Sequence, residues 1–131
     1  MRFRNRKRKR MVYEVMDCCD LKYPDNFFDI IIDKSTIDAI LCGDNAYLNT
    51  ALMLKESQRV LREGGHYLAI SYGKPETRSY HFTRKFLSWS LSTFTLYPVE
   101  FIHHFDNRLV SVVGIIGGSP VHDVSEFWGD R

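Results

Sequence analysis

The 131-residue sequence predicts an α/β fold: a mainly parallel sheet with flanking helices, closed by a carboxyl-terminal antiparallel hairpin. Three observations predict it. Residues 27–32, "FFDIII", form a nearly continuous apolar run, as a strand does when helices cover both faces of its sheet. Residues 45–63 switch to a helical period. "HYLAISY", 66–72, then returns to strand-forming residues, giving a strand–helix–strand unit with the usual right-handed crossover.

Taken in order, the elements each have a local cause. Val12, Tyr13 and Val15 favour extended backbone, so 12–17 reads as a short strand ending at Asp17. "KYPDN", 22–26, is turn chemistry: Pro24 presets φ, and Asp25 and Asn26 bond to nearby backbone. In the helix over 45–63, Met53, Leu54, Ser57, Val60 and Leu61 share one face, while Lys55, Glu56, Arg59 and Arg62 share the other. Gly64-Gly65 is expected to end that helix. A further helix is expected over "HFTRKFLSWSL", 81–91. "TLYPVEFIHHF" and "RLVSVVGIIGG" follow as two antiparallel strands joined at Asp106, Asn107 and Arg108.

The composition fits one domain with a real core: 44% hydrophobic and 14% aromatic residues. No apolar run reaches the roughly 20 residues of a membrane span. Three cysteines, two of them vicinal (Cys18 and Cys19), are no disulfide framework; they point to a reducing, cytoplasmic setting. The net charge of +2 is uneven, because residues 1–10, "MRFRNRKRKR", hold seven of the 18 basic side chains and leave the rest at −5. That block reads as the exposed end of a helix, with a nuclear-import or nucleic-acid patch as the alternative. The division is thus a basic lead-in over 1–10, a domain over 11–118 and a polar tail over 119–131.

Ligands of open α/β sheets sit beyond the carboxyl ends of the strands. Three polar strand ends are candidates: Asp17 with Cys18; Asp33, Lys34, Ser35 and Thr36; and Ser71, Tyr72, Gly73 and Lys74. Singly, each is as well explained as a turn or cap; together on one rim they suggest a site. A metal site is not expected. Cys18 and Cys19 beside Asp17 and Asp20 lack a spaced partner set, and His103 and His104 would point to opposite faces of a strand. Neither a G-x-S-x-G elbow nor a Walker loop is present.

"VMDCCDLKYPDNFFDIIIDKSTIDAIL" followed by "ESQRVLREGGHYLAISYG" resembles the downstream part of a class I S-adenosylmethionine-dependent methyltransferase, a partial Rossmann-like sheet comprising that family's strands 3 to 7. The shared marks are Asp after the third strand, Phe-Asp in the fourth and Leu-x-x-Gly-Gly before the fifth. "DKSTIDAIL" and "RSYHF...WSL" resemble one branch more closely, the lysine methyltransferases of translation elongation factor 1-alpha. The resemblance runs from about Val12 to Gly117. It implies S-adenosylmethionine as cofactor and a protein substrate, with Asp17 on the adenine amine, Cys18 supplying a neighbouring amide, and Asp33 and Lys34 flanking the methionine portion. It places Ser35, Thr36, Tyr72 and Lys74 on the acceptor side and assigns no catalytic residue.

The family's Gly-rich loop and ribose-binding acid belong to its first two strands, which have no counterpart here; the first glycine is Gly43. The expectation is therefore a carboxyl-terminal piece whose cofactor binding and activity in isolation are in doubt. With a family order of 3-2-1-4-5-7-6, the 28–32 strand would lose its neighbour. It would then either pair with the 12–16 strand or join a second chain edge to edge. Two rival functions stay open: a small-molecule methyltransferase of the same fold, and a non-catalytic dimerising module. A nucleic-acid substrate is disfavoured, since Asp33-Lys34-Ser35-Thr36 stands where base methyltransferases carry an Asn/Asp-Pro-Pro-Tyr-like turn.

Overall fold

The computed structural model describes residue 8, residues 10–96 and residues 110–116. Seven elements follow in the order β1 (Phe28–Lys34), α1 (Thr36–Leu41), α2 (Ala46–Val60), β2 (Leu61–Ser71), α3 (Pro75–Phe82), β3 (Ser90–Leu96) and β4 (Val110–Ile116). They build a four-stranded sheet ordered β1-β2-β4-β3. β1 and β2 are parallel, with Ile31 opposite Tyr67 and Asp33 opposite Ala69; β4 runs antiparallel to both β2 and β3. This is a mixed α/β sheet of the expected class.

Alternation decides which face is buried. Tyr67, Ala69 and Ser71 of β2 and Asp33 of β1 point to the side where the helices lie. Their core partners are Ile37 of α1, Met53 and Leu54 of α2, and Phe82 of α3. Tyr67 sits at the centre, its ring 6.0 Å from Phe82 and 5.6 Å from Trp89. Burying one such aromatic contributes about 1.5–3 kcal/mol.

Several expectations need correction. Residues 12–16 form no strand: Val12 is 80% and Val15 105% exposed, because no neighbouring strand offers them a ladder. β1 is therefore the end strand of the described sheet and pairs only with β2. Nor are both its faces covered; Ile30 and Ile32, on the side away from the helices, are 58% and 64% exposed. The apolar run 27–32 reads like a sheet-centre strand but occupies an edge.

Gly64-Gly65 does not cap the long helix, which already ends at Val60 with Leu61 extended. The pair lies inside β2, where the β1 register jumps from Phe28↔Leu61 to Ile30↔His66. Gly64 takes φ 72°, and a Cβ on Gly65 would stand 2.9 Å from the Asp29 carbonyl oxygen. The glycines serve a local excursion of the strand rather than a helix end.

The helix expected over 81–91 lies earlier, over 75–82, because Pro75 opens it and tertiary pairing with β4 claims Thr93 and its neighbours as strand. An antiparallel pair does form with β4, but its partner is β3 over 90–96, earlier than the expected strand over 95–105, most of which lies outside the described residues. Its turn at 106–108, His103, His104, the tail over 119–131 and nearly all of the basic lead-in lie outside the described residues. Among the described residues, no helix is long and apolar enough to cross a membrane.

Candidate functional site

The parallel strands β1 and β2 end side by side, with Lys34 opposite Ile70, so residues 33–36 and 71–74 share one rim. The first turn after β1 is tight. Ser35 takes a left-handed conformation, φ 63°, and its N–H donates to the Ile70 carbonyl at 2.9 Å. The Asp33 carboxylate then caps α1. Its Oδ1 accepts the Thr36 N–H at 2.7 Å and its Oδ2 accepts the Ile37 N–H at 3.2 Å. Oδ2 also accepts the Tyr67 hydroxyl at 3.0 Å. Both oxygens of this buried group are engaged inside the fold, while Lys34 and Thr36 project outward. Burial first, then the Asp33 charge and hydrogen bond, hold the Tyr67 phenol well above its usual pKa.

A second carboxylate ties this turn to the end of β2. Asp38 Oδ1 accepts the Ser71 hydroxyl at 2.5 Å and two Arg78 donors, Nη2 at 2.8 Å and Nε at 3.1 Å. Asp38 Oδ2 accepts the Tyr72 N–H at 3.0 Å. Burial pushes this carboxyl up, but Ser71, the Tyr72 amide and Arg78 together outweigh it and hold the pKa below the usual value. Tyr72 and Lys74 leave this framework exposed. Sequence reasoning missed Asp38, Arg78 and Tyr67. Asp38 and Arg78 stand 40 positions apart, and no periodicity links them.

The third candidate end, Asp17 with Cys18, is a loop rather than a strand end. The Cys19 N–H donates to Asp17 Oδ1 at 2.8 Å, and the Cys19 thiol donates to the Asn49 carbonyl at 3.4 Å. Cys18 and Cys19 pack against the core, and Cys18 is near enough to Tyr67 to act on its phenol. Two of the three segments thus meet at Tyr67, while 71–74 joins the 33–36 turn along the rim and through Asp38. Asp17, Cys18 and Cys19 present donor atoms within 4.8 Å of one another. Burial first, then Cys18 and Asp17, push the Cys19 thiol up to about 11, so at neutral pH it is protonated and serves as a donor to Asn49.

The loop is held by a clamp on α2. Arg59 donates to the Leu21 and Tyr23 carbonyls at 2.8 Å each, and pairs with Glu56 and Asp25 at 2.7 Å each. Glu56 in turn accepts the Leu21 N–H at 3.0 Å. A shallow cleft at the opposite end of the sheet, lined by Asn26, Gln58, Arg62, Ser88 and Trp89, is not near these strand ends.

Comparison with known proteins fits this geometry. A family model described as "Methyltransferase domain" matches residues 1–69. The chain is 31% identical over 121 residues to EEF1A lysine methyltransferase 4 of Mus musculus, covering 83% of this chain and 47% of that protein. It is 39% identical over 74 residues to the eEF1A lysine and N-terminal methyltransferase of Bos taurus, covering 54% of this chain and 11% of that protein. The chain thus spans about half or less of the length of the curated relatives it matches. Among solved structures, a SAM-dependent methyltransferase from Methanosarcina mazei aligns with a TM-score of 0.58 at 10% identity, over 79% of this chain and 66% of that one. The match over more than half the chain, on a sheet of the expected class, places this protein in the methyltransferase-domain family.

Proposed function

We propose that these residues serve an S-adenosylmethionine-dependent methyltransferase that acts on lysine side chains of a protein. The observation that carries the reading is the shared rim of the 33–36 and 71–74 segments, with the 17–19 loop joined to the 33–36 side through Tyr67, in a methyltransferase-family domain. A translation factor is the acceptor class suggested by the names of the lysine methyltransferases it resembles.

The residues fit half of such a pocket. Asp17 is exposed, with Oδ1 taken by the Cys19 amide, so its other oxygen would receive the adenine amine beside Cys18. Asp33 would act through the turn it caps, shaping the backbone at Lys34, where the methionine portion would lie. Ser35, Thr36, Tyr72 and Lys74 would face the acceptor. When bound, the cofactor supplies an activated methyl group on sulfur. The chain's own task is positioning, which can account for most of the acceleration of an in-line displacement. An acceptor ammonium must also lose its proton, and Lys34 and Lys74 on the rim favour the neutral amine by charge repulsion.

Calorimetric titration with S-adenosylhomocysteine tests this. The half pocket alone should bind no tighter than about 100 µM, roughly 5.5 kcal/mol, and tighter binding would mean that a partner chain completes it. Absence of heat at millimolar ligand would refute the reading for this chain alone and favour a non-catalytic module.

The open β1 edge, with Ile30 and Ile32 exposed, supports a second proposal: association of two copies along this edge. Light scattering should give a dimer mass that falls to the monomer in Ile32→Lys; a wild-type monomer at high concentration would end the idea. The unpaired cysteines support a cytoplasmic setting, tested by imaging a tagged chain. Nuclear accumulation would instead credit the basic segment 1–10.

A further inference from the structure

Three chain segments meet behind the acceptor side of the rim. α1 starts directly after β1, which puts Asp38 in its first turn; β2 ends at Ser71; and Pro75 opens α3 soon enough to bring Arg78 back over the connection. The Tyr72 N–H ends on Asp38 and the Gly73 N–H ends on Ser71 Oγ at 3.0 Å. Arg78 Nε also donates to Ser71 Oγ at 2.9 Å. The guanidinium lies directly on the turn: a Cβ built on Gly73 would stand 2.2 Å from Arg78 Cζ and 2.3 Å from Nε. The Asp38 and Arg78 side chains are only 17% and 18% exposed, so they face the turn rather than a ligand. Tyr72, at 57% exposure, projects from the backbone they hold.

We infer that Asp38 and Arg78 are positioning residues that latch the 71–74 turn, and so fix where Tyr72 and Lys74 present themselves to the acceptor. The inference rests on the reading of this rim as a methyl-transfer site. Its physical content is separate: two consecutive amides and one serine are fixed by one ion pair whose members come from two helices. A shift of about 1 Å in a positioning group can cost about 100-fold in rate. The latch therefore acts on acceptor handling and leaves the Asp17 side of the pocket untouched.

Hydrogen exchange and ligand titration on wild type, Arg78→Gln and Arg78→Lys test the latch. In Arg78→Gln the Tyr72 and Gly73 amides should exchange at least about tenfold faster, while α2 amides keep their protection. Arg78→Lys, which keeps the charge but not the fork, should recover part of that protection. Affinity for S-adenosylhomocysteine should stay within about twofold, whereas kcat with a protein acceptor should fall, by up to about 100-fold, by more than KM rises. Unchanged exchange at Tyr72 and Gly73, or equal loosening throughout α2, overturns the latch. A wild type that binds no S-adenosylhomocysteine refutes the methyltransferase reading instead, and the exchange comparison still decides the latch.

Discussion

Gly73 offers a direct energetic test of the contact beneath the rim. It does not occupy a positive φ, so its backbone tolerates a side chain, and the nearest obstacle to Gly73→Ala is the Arg78 guanidinium. A Cβ 2.2–2.5 Å from Cζ, Nε and Nη2 must drive that group away by about an ångström or more to reach ordinary contact. The movement forfeits the bonds of 2.8 and 3.1 Å to Asp38 and of 2.9 Å to Ser71. Hydrogen bonds to charged groups contribute about 1.5–3 kcal/mol, and partial access of water to this pair brings the combined loss to about 2 kcal/mol. Against it stands a gain of about 0.4–1 kcal/mol from the stiffer unfolded chain. Gly73→Ala should therefore destabilise the wild type by about 1–1.5 kcal/mol, yet stabilise an Arg78→Ala background by about 0.5 kcal/mol. Urea unfolding of the four proteins reads the coupling, expected at about 2 kcal/mol. Equal effects of Gly73→Ala in both backgrounds, within about 0.5 kcal/mol, would refute the reasoning.

Other perturbations follow from the same geometry. Asp33→Ala strands the Tyr67 hydroxyl and the α1 amides and should cost about 3 kcal/mol in urea unfolding, against about 1 kcal/mol for Tyr67→Phe. Asp38 has a folded pKa below its unfolded one, so its stabilisation is present at neutral pH and lost as pH falls below about 4; Asp38→Asn should flatten that limb of an acid titration. His81 is held below its usual pKa by burial, then by Arg84 and Arg78, with the Tyr47 and Tyr80 rings 5.5 and 5.6 Å away. The unfolded chain binds that proton first, so stability should decline from about pH 7 to 5, and less so in His81→Gln. An equal decline in the variant would remove His81 from the account.

The strand–helix–strand unit was legible because its signals are local: an apolar run, a helical period, and a return to β-branched and aromatic residues. The end of α2 was not. Gly64-Gly65 looks like a helix terminator, and only the register jump against β1 reveals its place within β2. The 12–16 segment fails for a related reason. Val12, Tyr13 and Val15 have strand propensity, but a strand exists only with a neighbour to complete its ladder. The rim was located from its polar strand ends, and Asp33 was visible among them as a group of interest. That its carboxylate is spent on Thr36, Ile37 and Tyr67 depends on a contact between residues 34 positions apart.

The two sides of β1 carry different obligations. Toward β2, its end is tied by Asp33, by the Ser35 amide and, one turn later, by Asp38, so the 33–36 and 71–74 rim is held together by these residues alone. Away from β2, Ile30 and Ile32 meet solvent, and the 17–19 loop is fixed to α2 rather than to β1. The resemblance places the Gly-rich loop and the ribose-binding acid on this open side. Cofactor affinity and edge pairing should therefore be linked: any chain that covers the β1 edge and brings a Gly-rich loop and a ribose-binding acid should tighten S-adenosylhomocysteine, and ligand should strengthen the pairing by the same factor. A second copy of these 131 residues would bring its own β1 edge rather than such loops, so its docking should change association without changing affinity. Light scattering with and without ligand separates the two cases, because only a complementing partner makes the assembly ligand-dependent.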